Sequence, residues 1–216
     1  MQFIKANELK NTIWDITNEH YVNYKADTNI DYSKESKLFS EALNLSKKEQ
    51  DIQRYIKENE KWFIPYSLTQ DYGLCNHGGA YFYKELNLGS EYVVDYALLG
   101  HNSEGYQLIL VEFETPEKID LLQKNINDWS VQVRKGLAQI DDWKVWIDKN
   151  KNYLLDSMNL SSNGINIQTP KIYYVLVVSR RECFDARVNE KRNWLNYEKN
   201  IKLVSYDRIV DNIEYL

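Results

Sequence analysis

Cysteine is nearly absent from this 216-residue chain: Cys75 and Cys183 lie far apart, and neither has a second Cys or a His pair at metal-ligand spacing. That excludes a disulfide framework and a zinc knuckle, and leaves the reduced thiols of a cytoplasmic protein as the expectation. Three prolines and eight glycines are scattered along the chain, so no long flexible linker divides it. No apolar run approaches the length of a membrane span, and the N-terminal MQFIKANELKNTIW has no basic segment followed by such a run, so no membrane partner is expected. Basic charge is not in excess either. A net charge of -5 excludes a protein whose whole surface binds nucleic acid, although a local basic groove fits within that total.

What the chain does contain is apolar and aromatic residues, at 43% and 13%, enough for one sizeable core. The expected architecture is one compact α/β domain, a mixed central sheet flanked by helices over residues 46–216, with residues 1–45 as an N-terminal extension packed on it. Phe3, Ile4, Leu9, Ile13, Trp14 and Ile16 suggest a first helix or edge segment, followed by an irregular region. From Ser46, SKKEQDIQRYIKENEKWF predicts a helix, with Ser46 and Glu49 at capping-box spacing and Ile52, Tyr55 and Ile56 on its apolar face. Asn76, Gly78 and Gly79 mark a turn, in which His77 reads as a solvated side chain. The segment from Trp129 to Asn150 predicts a long helix. Its apolar face is Val133, Leu137, Ile140 and Ile147, widened by Trp143 and Trp146, and its polar stripe is Gln132, Lys135, Gln139 and Asp142. KIYYVLVVS, residues 171–179, reads as a buried strand, 186–199 as a helix, 201–205 as a strand and 207–213 as a terminal helical turn.

The stretch from Glu91 to Pro116 carries acids where strands should be apolar. Asp95 sits within YVVDYALL, Glu112 and Glu114 within LILVEFE, and HNSEG between them reads as a hairpin connection. Glu112 and Glu114 are two residues apart and share a strand face, and a hairpin can bring Asp95 beside them. A carboxylate in such a run is costly to desolvate unless it is paired, hydrogen-bonded or bound to a cation. Oxygen ligands of this kind suit Mg²⁺ or Mn²⁺, and by spacing alone a solvent-exposed strand face explains the acids about equally well. A glycosidase pair is disfavoured, because Glu112 and Glu114 do not span a cleft.

VVDYALLG, then LILVEFETP, then the helical GLAQIDDW from Gly136 to Trp143 resemble, in that order, the nuclease domain of the Shedu antiphage-defence family, a branch of the PD-(D/E)XK nuclease superfamily; the final SYDRIV is similar to that family's end. The resemblance runs from Ser46 to the C-terminus. It implies a PD-(D/E)XK nuclease domain over residues 46–216, a bacterial Mg²⁺- or Mn²⁺-dependent endonuclease acting on DNA, and a homo-oligomer. It implies that Asp95 and Glu112 are metal-binding acids, that Gln139 positions the scissile phosphate or the attacking water, and that Glu49 adds an acid to the metal site. At Glu114 the superfamily pattern has lysine, whose ammonium stabilises the transition state or assists deprotonation of water. Two readings follow: Glu114 is a further ligand and Lys135 supplies the missing cation, or the site is degenerate and the fold binds DNA or a partner without cutting. Arg180, Arg181 and Lys135 are the expected DNA-binding cations.

Overall fold

The structure is a computed structural model that describes residues 30–74 and 81–216; the first apolar segment, Cys75 and the turn with His77 lie outside these residues. Among the described residues five strands form one sheet in the order β1 (Tyr81–Leu88), β2 (Tyr92–Asn102), β3 (Gly105–Phe113), β4 (Ile172–Val177) and β5 (Ile201–Val204). β1, β2 and β3 are an antiparallel meander, and β3, β4 and β5 run parallel. The parallel connections are made by α4 (Val131–Ser157) and α5 (Ala186–Lys199), as parallel neighbours require. The expected mixed sheet flanked by helices is therefore present.

Alternation along β3 divides the core. Leu108 and Leu110 pack with Val133, Leu137, Ile140 and Trp143 of α4 and with Val188 and Leu195 of α5. Ile109, Val111 and Phe113 point to the other face, against α1 (Tyr32–Leu45), α2 (Glu49–Glu58), α3 (Phe63–Tyr66) and α6 (Tyr206–Glu214) through Phe39, Ile52, Ile64 and Ile209. Trp143 and Trp146 are core residues.

Two helical details differ from the sequence reading. Residues 32–45, expected to be irregular, form α1, whose N-cap Asp31 accepts from the Lys34 amide at 3.0 Å; Phe39 and Leu43 bury its face in the shared core. Ser46 does not start α2. Its hydroxyl donates back to the Ala42 carbonyl at 2.8 Å, closing α1, while the Asp51 carboxylate accepts from the amides of Lys47 and Lys48 at 3.1 Å. Asp51 thus serves the start of α2, and Glu49, relieved of a capping role, turns its carboxylate elsewhere.

Candidate metal centre

The sheet is distorted at Asp95. β1 and β2 pair at Lys84–Tyr96 and again at Leu86–Val94, but Glu85 and Asp95 between them do not, and Glu85 takes a left-handed φ of 52°. Across this point the inward-facing residues change parity, from Ala97 and Leu99 to Val94. On the other side, β2 and β3 last pair at Tyr96–Val111. Beyond that fork the Phe113 amide, which has lost a strand partner, donates to Asp95 Oδ2 at 2.8 Å. The strand thus places a half-buried carboxylate in the sheet and satisfies only one of its oxygens from the backbone.

Glu112 and Glu114 follow on β3 and just beyond it, both nearly inaccessible to solvent. The Glu114 backbone is fixed at both ends: its amide donates to the Val177 carbonyl at 2.8 Å and its carbonyl accepts from the buried Tyr206 hydroxyl at 2.6 Å. Tyr206 belongs to the SYDRIV segment, so this segment serves the acids from the far end of the chain. On the α4 side, a Cβ on Gly136 would stand 2.5 Å from Leu176 and 3.2 Å from Glu114 Cγ. Glycine in a helix interior costs about 1 kcal/mol relative to alanine, and here it lets the helix lie against the acids. A glycine within a strong helical pattern was the signal for that approach.

Two helices on opposite faces of the sheet reach the fork. From α2, Glu49 Oε1 accepts from Gln53 Nε2 at 2.9 Å, and Gln53 also bonds the Asp95 carboxylate. From α4, Lys135 Nζ donates to Glu114 Oε1 at 2.9 Å, a contact buried on the glutamate side and open on the lysine side. Gln139 lies half-buried one turn further along the same stripe and makes no hydrogen bond to the acids. Asp95, Glu112, Glu114, Glu49 and Lys135 are thus brought together, and Gln139 stands beside them. Gln53 was missed by sequence reasoning, although its spacing of four from Glu49 places both on one side of the helix.

Electrostatically the cluster is under-compensated. Burial raises the Glu49 carboxyl to about 7, with Asp95 and Glu114 adding to the rise and Lys135 opposing it. Burial also raises Asp95, against the hydrogen bonds from Phe113 and Gln53. Glu112 is pushed furthest up, first by burial and then by Asp95, Glu49 and Glu114. Its Oε2 is buried with no hydrogen-bond partner. Such an oxygen needs a proton or a cation. Lys135 is held protonated by Glu114.

These donors are hard oxygens, and the orphaned Glu112 Oε2 among like charges fits a divalent cation. As the side chains stand, no three acids, histidines or cysteines among the described residues close on a single ion position. An ion would have to draw the carboxylates inward.

Arg180 and Arg181 are placed otherwise than as free phosphate-binding cations. The Arg180 Nε and Nη2 clamp Asp207 at 2.9 to 3.2 Å and its Nη1 donates to Asn44 Oδ1 at 2.7 Å, tying the end of β4 to α6 and α1. Arg181 donates through its backbone and side chain to Asp207 and through Nη2 to Asp211. These carboxylates lie 26 to 30 residues further along the sequence, which is why a local reading leaves the arginines unpaired.

Among the described residues no helix is long and apolar enough to cross a membrane. The family described as Shedu protein SduA, C-terminal, matches residues 46–210. No curated protein matches the chain.

Proposed function

The chain belongs to the Shedu family, matching its protein SduA in the C-terminal region, and on that footing we propose that it is a metal-dependent nuclease that hydrolyses DNA phosphodiester bonds in bacterial antiphage defence. Membership points to antiphage defence; the chemistry rests on the buried acids at the fork of β2 and β3, above all the unpartnered Glu112 Oε2. A core of the PD-(D/E)XK type is part of this reading, supported by acids on two adjacent strands followed by a helix that carries Lys135 and Gln139.

Asp95, Glu112, Glu49 and Glu114 would hold Mg²⁺ or Mn²⁺, which when bound lowers the pKa of a water and neutralises phosphate charge. The Phe113 amide and Gln53 hold the Asp95 carboxylate in place from two sides, which orients it as a ligand. Burial of Glu112 keeps bulk water from competing for its carboxylate. Glu114 stands where the superfamily pattern places lysine, yet the ammonium of Lys135 arrives at that point from α4. Held protonated and open to solvent, it stabilises charge developing on the phosphate. The Gln139 amide, free of other bonds, orients the phosphate or the attacking water. DNA is the proposed substrate, and a homo-oligomer in the cytoplasm is the proposed working form.

Wild-type protein and Glu112→Ala are to be compared on linear, nicked and single-stranded DNA with Mg²⁺ or Mn²⁺, with and without EDTA. Cleavage by wild type alone, stopped by EDTA, is the expected result; cleavage that survives EDTA or the substitution rules it out. The second reading, a nuclease fold that binds without cutting, draws on the failure of three acids to converge. DNA binding without cleavage of any of these substrates selects it.

A further inference from the structure

Away from the acids, a cavity of about 630 Å³ opens on the outer side of edge strand β5, between α5 and the start of α6. Its volume suits a ligand of nucleotide size. Four cations line it, Arg181, Arg192, Lys202 and Arg208, against two carboxylates, Asp71 and Asp211. Arg208 is taken by Asp71 and Arg181 by Asp211. Arg192 and Lys202 have no carboxylate in ion-pair range: Arg192 Nη1 donates to the Leu203 carbonyl at 3.4 Å with its guanidinium over the Phe184 ring, and Lys202 Nζ donates to the Asp71 carbonyl at 2.7 Å and lies over the Tyr72 ring at 3.8 Å. In a chain of net charge -5, two partly desolvated cations without an ion-paired carboxylate in one cavity are a local exception. Burial pulls both below their ordinary pKa and Arg208 adds to it, although Asp71 opposes the shift of Lys202, so an anion in the cavity would relieve the site.

Two further features extend the recognition beyond an inorganic anion. Asn189 donates through Nδ2 to the Phe184 carbonyl, which fixes its amide, and its Oδ1 in the cavity wall accepts no hydrogen bond. It calls for a ligand that carries an N–H or O–H group. Asn193 of α5 also borders an adjoining hollow formed with Glu190, Trp194 and Tyr197, the two aromatics largely exposed and their rings edge-to-face at 5.8 Å. A cationic cavity next to exposed aromatic faces combines a phosphate clamp with a stacking surface.

We propose that this cavity is a second ligand site, separate from the acid cluster, which takes a nucleoside phosphate: the phosphate against Arg192 and Lys202, a donor of the sugar or base against Asn189, and a base against Trp194. The unit could come from a free nucleotide or from a single polynucleotide strand. The site does not depend on cleavage, so its test runs in EDTA on the full chain.

Calorimetric titrations with inorganic phosphate, dAMP and a short oligothymidylate separate the outcomes. Saturable binding of dAMP or the oligonucleotide is expected. It should weaken roughly tenfold or more in Arg192→Gln, which removes one charge-assisted partner and little packing. Trp194→Ala should weaken the same ligand while leaving any inorganic phosphate binding unchanged. Binding of dAMP equal to that of the oligonucleotide per site assigns a free nucleotide; tighter oligonucleotide binding that falls steeply with salt assigns a strand. Equal affinity of Arg192→Gln and wild type, no saturable binding of either nucleoside phosphate, or phosphate binding with no gain from a base overturns the proposal. Unchanged thermal unfolding of both variants excludes misfolding as the cause of any loss.

Discussion

At the fork of β2 and β3, four carboxylates meet one exposed lysine, whereas around α6 Arg180, Arg181 and Arg208 have each found a carboxylate. Arg180 with Asp207 and Arg208 with Asp71 form multiple hydrogen bonds in fixed geometry; Glu112 has an oxygen with no partner at all. The arginine pairs tie α6 to its neighbours. The acid cluster keeps charge of one sign together at a cost that only a bound cation, or protons, can offset. The contrast separates charges that hold the fold from charges held ready for chemistry.

The largest effect that could break this contrast is on cleavage. Asp95→Ala and Glu112→Ala should each reduce metal-dependent cleavage by about a thousandfold or more, as loss of a strong electrostatic group does, with Tm close to wild type. A drop in Tm in proportion to the lost activity would place these acids with the structural charges instead. Next comes Lys135→Ala, expected to lower cleavage by about a hundredfold, within the range of a positioned proton-transfer or charge-stabilising group, while Mn²⁺ binding stays near normal. Unchanged cleavage would remove Lys135 from the chemistry.

Asp207→Ala should act on stability. It strands the mostly buried Arg180 guanidinium, and breaking one partner of such a pair costs about 3 kcal/mol, to be read from urea unfolding. The Asp207 carboxyl is lowered by its bonds to Arg180 and Arg181, although burial works against them. Its contribution is therefore present above the ordinary carboxyl pKa and lost as pH falls through the folded value.

The smallest effect has the opposite sign. Because Glu112 is raised in the folded protein, folding binds a proton that the unfolded chain releases, and the metal-free protein loses stability as pH rises from the unfolded carboxyl pKa towards the folded one. Glu112→Gln removes that slope. At pH 8 in EDTA its Tm should exceed that of wild type by about 2–4 °C for each kcal/mol relieved; a fall in Tm would show that Glu112 is structural.

Much of this was readable in the chain. The hairpin, the two acids sharing a face and the Lys135 stripe follow from periods of two and of about four, and all three survive in the structure. What escaped depends on partners far off in sequence. The fork at Asp95 needs Glu85 from β1 and the Phe113 amide from β3. Arg180 and Arg181 read as free cations until Asp207 and Asp211 turn up beside them. The start of α2 failed for a local reason: Ser46 and Asp51 both offer capping oxygens within a few residues, and the preceding helix, itself unread, had already taken Ser46. That competition set Glu49 free for the cluster.

If the acids at the fork form a cation site, calorimetric titration of Mn²⁺ into wild type and Glu112→Gln will give saturable binding to wild type that is lost or greatly weakened in the variant. Equal binding to both, or none to wild type, would show that the acids do not hold a cation.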